Sequence, residues 1–488
     1  MNREEVVKYL KENEMDVQHA KAALVFATII WSVYADSDKA HGVNYSPVFS
    51  YFFNNEASNF YQIIPQRHIK AVSQKIYLDY CKDPKTLEDK IKKHERLDKQ
   101  LDKFWNDYEK RRNELSDEDI YKAYENFTKI FKEWWYYGVI GEDKGEVINQ
   151  EVIPRFAKRH NLPLGKAKEI MVVLAHPEEQ SALNLERIDF LKICLELKKK
   201  NSKKLDKMIK DYIKNYFYFK TDFYEAKEIN SEDILRQAQK ETGDVSKEIK
   251  KINNNFKKIH QQREKLLKTL KLTKEDEKDI YFSQRITEWF DKRKVGTMVQ
   301  CYYLYFLLKD VVKRYNVEYH DLAFSSHEEL REFLKGGELN KQEIEKRDRG
   351  VFYAVVKESP EPDAFYERPK EMLELAIRPR GNELKGQVAS TGNLTEITGI
   401  ARVVSNPASE EFKEGDILVT SMTRIEFVPL MRRAKAVVTD EGGIVCHAAI
   451  VSRELGVPCI IGTKTATRQL KTGDKIKLDL EKGTITKI

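Results

Sequence analysis

The sequence predicts a multidomain protein of α and β structure, with a large all-α N-terminal region holding one small β-hairpin and a small C-terminal β/α domain. Three observations carry this reading. Of the 52 aromatic residues (24 Tyr, 23 Phe, 5 Trp), only Phe412 and Phe427 lie beyond residue 380, so the two regions fill their cores with different side chains. Glycine runs the other way, with 10 of 21 in residues 1–380 and 11 in the last 108, which makes the tail turn-rich. Pro360, Pro362, Pro369 and Pro379 crowd the join, where a helix cannot continue. The expected division is 1–350 helical, 351–380 hairpin and connector, and 381–488 the β/α domain. A tail with its own core folds alone, so light proteolysis is expected to cut between Ser359 and Gly386 and release a folded fragment; cleavage scattered through the tail would overturn the boundary.

Three helix starts are marked in the front. Ser116, Thr273 and Ser326 each precede a carboxylate by three residues and then an apolar-periodic run, the capping-box arrangement or its Asp variant. Leu205, Ile209, Tyr212, Ile213 and Tyr216 share one helical face while Lys204, Lys207, Lys210 and Lys214 fall elsewhere, which describes a helix packed on one side. Only the stretch 350–368, with VFYAVV and AFYERP (364–369) around a proline-containing turn, reads as a hairpin.

Composition bounds the function classes. The 86 basic and 79 acidic residues leave a formal charge of +7, too small a bias to point to a polyanion as the main partner. The longest apolar stretch, Ala22 to Ala35, is broken by Thr28 and Ser32 and is too short to cross a bilayer. The start, MNREEVVKYLKEN, lacks the basic-then-apolar order of a secretion signal. Five cysteines without a C-x-x-C pair argue against a disulfide framework or structural zinc. A cytoplasmic protein without a resident metal is expected.

In the tail, short β-type runs (ARVVS, DILVTS, AKAVVTD, PCIIGT, KIKLDL, TITKI) alternate with glycine-centred turns. One helical segment, from Ala448 to Leu455, ends at Gly456. Before it, Thr439-Asp-Glu-Gly-Gly-Ile-Val-Cys-His turns on Gly442 and Gly443 and presents His447 at a helix start. An imidazole there is either a structural side chain or a nucleophile whose phosphoryl adduct would lie beside the helix's unpaired amides; the residues alone leave both open.

GGIVCHAAIVSRELGVPCIIGT resembles the phosphohistidine signature of phosphoenolpyruvate synthase, pyruvate phosphate dikinase and the phosphotransferase-system enzyme I. The resemblance extends through LKGQVASTGNLTEITGIARVV, EGDILVTSMT and TGDKIKLDLEKGTITKI, covering essentially Gly381 to Ile488. It implies a swivelling β/β/α phosphohistidine domain in which His447 carries a phosphoryl group, with Gly442, Gly443 and Ala448 supporting the phosphate. Thr420, Thr423 and Thr463 match the family and either line the histidine face or serve as buried strand-end residues. Two positions depart from the pattern: Val445 stands where many members have Thr, and Ile425 where a proline is common.

Relatives that work alone carry an ATP-grasp domain and often a phosphoenolpyruvate-binding barrel, whereas residues 1–380 hold neither G-x-x-x-x-G-K nor G-x-G-x-x-G. The resemblance therefore implies a phosphotransferase component without its own donor site. A separate ATP-grasp protein would supply Mg2+ and ATP, or phosphoenolpyruvate would serve, and a small molecule would be the acceptor. Alternatives are a phosphorylation-dependent regulatory module and a basic helical nucleic-acid binder. YFSQRITEWFDKRKVGTMVQCYYLYFLLKDVVKRYNVEYHDLAFSSHEELREFL more weakly resembles the helical region of phosphoenolpyruvate-synthase-like proteins and rifampin-type phosphotransferases, which implies either acceptor site or scaffold. The lysine- and aromatic-rich run 198–220 reads as a packed helix with a solvated face. Trp134-Trp135-Tyr136-Tyr137 reads as core, His176 as a loop residue, and Cys446 has no catalytic role.

Overall fold

A computed structural model describes residues 1–35, 46–53, 59–138, 147–199, 202–357, 362–377, 384–392, 394–405, 407, 411–423, 427–442, 446–463 and 465–488. Two compact units emerge: Met1–Val6, Ala20–Lys144 and Glu169–Lys370 form the first, and Val7–His19, Gly145–Lys168 and Glu371–Ile488 the second.

The first unit is built mainly from helices, and its starts lie where the sequence marks them. Thr273 and Ser326 form complete capping boxes with Asp276 and Glu329. Ser116 and Asp119 exchange the same pair of bonds, at 3.2 Å to the Asp119 amide and 3.0 Å to the Ser116 amide. The Thr273 cap opens a helix of 42 residues, Lys274–Tyr315. Helices Lys85–Arg111 and Asp117–Gly138 present Trp105, Phe127, Phe131, Trp134 and Trp135 to the interior. In Ser202–Tyr216, Leu205, Ile209, Tyr212 and Tyr216 are buried while Lys204, Lys207, Lys210 and Lys214 face solvent. The aromatics of that run are thus packing residues.

The all-α description of the front is corrected by its strands. β1 (Met15–Lys21) is divided between the units. Within the first unit, β2 (Val48–Phe53) pairs antiparallel with β3 (Asn59–Pro65) and with β4 (Val351–Val355), and β4 pairs with β5 (Asp363–Phe365). The expected hairpin exists, but as part of a larger sheet. VFSYFF pairs on one side with the nearby β3 and on the other with a segment about 300 residues away; its aromatic and β-branched side chains suit a strand buried on both faces.

One helix start carries a pH-sensitive histidine. His327 is 5% exposed, and its Nδ1 lies 2.7 Å from the Tyr124 hydroxyl. Burial, with Lys132 and Arg331 nearby, pushes its pKa from 6.5 down to about 3. Below pH 6.5 the unfolded chain binds a proton that the folded chain refuses, so stability is lost as pH falls, by about 2 kcal/mol at pH 5. His327→Gln is expected to flatten this slope in urea unfolding at pH 7 and pH 5; an unchanged slope would show that the histidine is not held neutral.

Residues 384–488 of the second unit form an eight-stranded sheet in the order β6-β13-β12-β8-β9-β10-β11-β7. Its strands are β6 (Leu384–Lys385), β7 (Gln387–Ser390), β8 (Glu396–Val403), β9 (Ile417–Thr420), β10 (Ala436–Thr439), β11 (Cys459–Ile461), β12 (Lys475–Asp479) and β13 (Thr484–Lys487). β8 to β11 run parallel, and β12, β13, β6 and β7 join antiparallel. The two edge strands, β6 and β7, are consecutive in the chain and separated only by Gly386, so one bent segment closes the sheet on itself. A Cβ at Gly386 would lie 2.6 Å from the Ile461 carbonyl oxygen and 2.7 Å from both Ile460 Cγ2 and Thr463 Cγ2.

Period-two alternation splits the domain's apolar residues between two cores. Ile417, Val419, Ala436, Val438, Ile460, Ile476, Leu478 and Ile485 point into the closed sheet. Leu418, Val437, Cys459 and Ile461 point outward and are covered by Leu430 and Met431 of helix Val428–Arg433 and by Ala448 and Ala449 of helix His447–Leu455. Phe412 and Phe427, the tail's two aromatics, belong to this outer layer.

Candidate functional site

Parallel β9, β10 and β11 bring their carboxyl ends to one rim, where α/β sheets bind ligands. Thr420 ends β9 and Thr423 follows it, Thr439 ends β10 and Asp440 to Gly442 follow it, and Gly462, Thr463 and Thr467 follow β11. Backbone pairing continues past the strands. The Asp440 amide donates to Thr420 O at 3.1 Å, the Glu441 amide to Ser421 O at 2.8 Å, and the Thr463 amide to Thr439 O at 3.0 Å.

The threonine hydroxyls act within this rim. Thr420 donates to the Met422 carbonyl at 3.2 Å, and Thr439 to that of Glu441 at 2.7 Å. The Thr463 hydroxyl lies 3.0 Å from the Thr439 carbonyl oxygen and 2.9 Å from Asp440 Oδ1. Thr420, Thr423 and Thr463 are all buried, and the hydroxyl hydrogens of Thr420 and Thr463 go to loop oxygens, which makes these two the shapers of the rim.

The β10 loop leads to helix His447–Leu455, of which His447 is the first residue; the His447 side chain, Gly443 and Val445 lie outside the described residues, as do Ile425 and Pro379. Gly442 has φ of +116°, and a Cβ there would meet Cys446 Sγ at 2.6 Å, so glycine is required by conformation and by space. Cys446 is the N-cap, its sulfur accepting the Ala449 amide at 3.5 Å. First-turn amides of a helix have no intrahelical acceptor, and the helix dipole favours an anion beside them. Ala448 contributes its backbone there, while its side chain packs in the outer core. The helix ends at Gly456, φ +70°, where the Val457 amide reaches Ser452 O at 2.9 Å. Burial pushes the Cys459 thiol beneath it up to about 12, so Cys459 stays protonated.

Sequence reasoning passed over Asp440 and Thr467. Asp440 is buried and gathers donors from Thr463 after β11 and Thr467 in the short helix Ala466–Gln469; its sequence signal is an acid set directly at a strand end before paired glycines. Among the described residues, no three His, Cys, Asp or Glu side chains stand together as metal ligands, and no helix is long and apolar enough to cross a membrane. The His176 ring lies 5.6 Å from both the Phe256 and the His260 ring, in a packing contact.

Residues 412–483 match the family described as PEP-utilising enzyme, mobile domain. The chain is 41% identical over 168 residues to a probable phosphoenolpyruvate synthase of Archaeoglobus fulgidus, covering 33% of this chain and 22% of that protein. It is 55% identical over 107 residues to the phosphoenolpyruvate synthase of Pyrococcus furiosus, covering 21% and 12%. Against the phosphoenolpyruvate synthase of Aquifex aeolicus it is 35% identical over 155 residues, covering 30% and 18%. The chain thus spans less than a quarter of the length of these relatives.

Proposed function

We propose, starting from a chain that carries a PEP-utilising enzyme mobile domain and is homologous to phosphoenolpyruvate synthases, that it is a phosphotransferase component with His447 as the phosphoryl carrier. The observation that supports this most is the position of His447 within the matched residues, at the first turn of a helix on the carboxyl rim of the parallel strands. A lone pair of an imidazole nitrogen forms the N–P bond as the donor's P–O bond breaks, and that electron pair leaves on the donor oxygen. In the second transfer an acceptor hydroxyl forms a new P–O bond, the N–P bond returns its pair to the imidazole, and the hydroxyl proton passes to solvent or a base. Transfers of this kind depend on positioning and charge neutralisation, which Gly442, Gly443 and the first-turn amides around Ala448 supply in this reading.

The donor is a separate ATP-grasp protein using Mg2+ and ATP, or phosphoenolpyruvate, and the acceptor is a small molecule. Residues 381–488 act as the moving carrier domain, 351–380 as its connector, and 1–350 as acceptor-binding region or scaffold. The segment with the weaker resemblance to rifampin-type phosphotransferases forms helices Lys274–Tyr315, Tyr319–Ala323 and His327–Leu334, and it is the part of that region we assign to the acceptor. The test is label from ATP or phosphoenolpyruvate that is stable in base, labile in acid and confined to His447. Label on a hydroxyl residue instead would favour a regulatory module.

A further inference from the structure

Asp440 is the first residue after β10 and is 7% exposed. Its carboxylate accepts the Thr463 hydroxyl at 2.9 Å, the Thr467 amide at 3.2 and 3.3 Å, and the Thr467 hydroxyl. Thr463 lies in the loop after β11 and Thr467 in the short helix Ala466–Gln469 that follows it, while the Asp440 amide reaches back to the carbonyl of Thr420, the last residue of β9. Among the described residues no lysine or arginine stands within salt-bridge distance of Asp440, and the donors to its buried carboxyl group there are the Thr463 hydroxyl and the Thr467 amide and hydroxyl.

The loop this carboxylate anchors is short. Six residues, Glu441 to Cys446, separate Asp440 from His447, and their far end is held by the Cys446 cap on Ala449. Between the anchors the β10 and β11 loops touch: Gly462, φ +67°, would place a Cβ 3.0 Å from the Gly442 carbonyl oxygen. Among the described residues the exit of this loop is held by the helix cap, and its entry by Asp440 together with the Glu441 amide on Ser421 O and the Thr439 hydroxyl on the Glu441 carbonyl.

We infer that Asp440 is a positioning residue for His447: by clamping the β10 loop to Thr463 and Thr467, it fixes where the Gly442 turn delivers the histidine and the amides beside it. This rests on the carrier reading and names a residue that the reading does not itself require. Asp440 acts through the loop and takes no part in bond-making. Misplacing a reacting group by about 1 Å can cost on the order of 100-fold in rate, so Asp440→Ala should slow phosphorylation of His447 to that extent. Thr467→Val removes only the hydroxyl donor and should cost about tenfold, and Thr467→Ser, which restores it, should return the rate to within about threefold of the native chain.

The test uses the full chain and potassium phosphoramidate, a small donor that phosphorylates histidine without an enzyme, with label mapped to individual histidines. Amide hydrogen exchange across 441–449 is followed in parallel. Slower labelling and faster exchange in Asp440→Ala, with recovery in Thr467→Ser, support the inference. Folded Asp440→Ala that labels His447 at the native rate overturns it and leaves the carrier reading standing. A native chain that takes no label on His447 overturns both. Should Asp440→Ala fail to fold, Thr467→Val decides, and native labelling by that variant counts against the clamp.

Discussion

Replacing His447 with Asn is expected to reduce the acid-labile, base-stable label to background while leaving the domain folded. Asn keeps a polar side chain at the first position of helix His447–Leu455 but has no nitrogen able to form a phosphoramidate. The helix does not depend on this residue for its cap, which is the Cys446 sulfur on the Ala449 amide. His447→Ala should behave alike, since the cap comes from Cys446 and not from this side chain. Both variants would be incubated with the donor protein and ATP labelled in the transferred phosphate, or with labelled phosphoenolpyruvate, and the products divided between acid and base before counting. Label at native level in the Asn variant, or label that survives acid as phosphoserine does, would refute the carrier assignment.

Gly386→Ala should destabilise the tail sharply. The added carbon would sit 2.6 Å from a backbone oxygen on β11, with Ile460 and Thr463 on its other sides, and strand backbone has no rotamer by which to move away. Overpacking of this kind costs about 3 kcal/mol. By contrast, a Cβ at Gly165 meets nothing within 4 Å, so Gly165→Ala, in helix Leu164–Leu174, should be neutral or slightly stabilising. Differential scanning calorimetry reads both. An unchanged transition in Gly386→Ala would mean that the corner between β6 and β7 is looser than the packing indicates.

What the sequence discloses depends on how far apart the interacting residues lie. Thr273 with Asp276 and Ser326 with Glu329 are three residues apart and announce their helices. The lysine run 203–214 sorts itself by helical period. Runs such as AKAVVTD are strands because buried residues alternate to both faces, and the turn before His447 is legible because Gly442 must adopt a positive φ. The pairing of β2 with β4 spans about 300 residues, and Asp440 meets Thr463 and Thr467 only through the crossover from β10 to β11. Such contacts leave no periodicity behind them. Gly386 is visible as a turn residue, but its place at the seam of a closed sheet depends on which strands become the edges.

That seam also bears on how the tail can behave when it is not docked against anything. In the carrier role proposed above the domain would spend time in solution, where an open sheet would present rows of unpaired amides and carbonyls on which another chain could build a strand. Here one continuous segment, bent at Gly386, pairs as β6 with β13 and as β7 with β11, so that it covers the flanks of both. The concealment hangs on a single hinge: opened at Gly386, the domain would uncover the flanks of β13 and β11 together. Substitutions there are therefore expected to show up as self-association on purification, before any loss of helix can be measured.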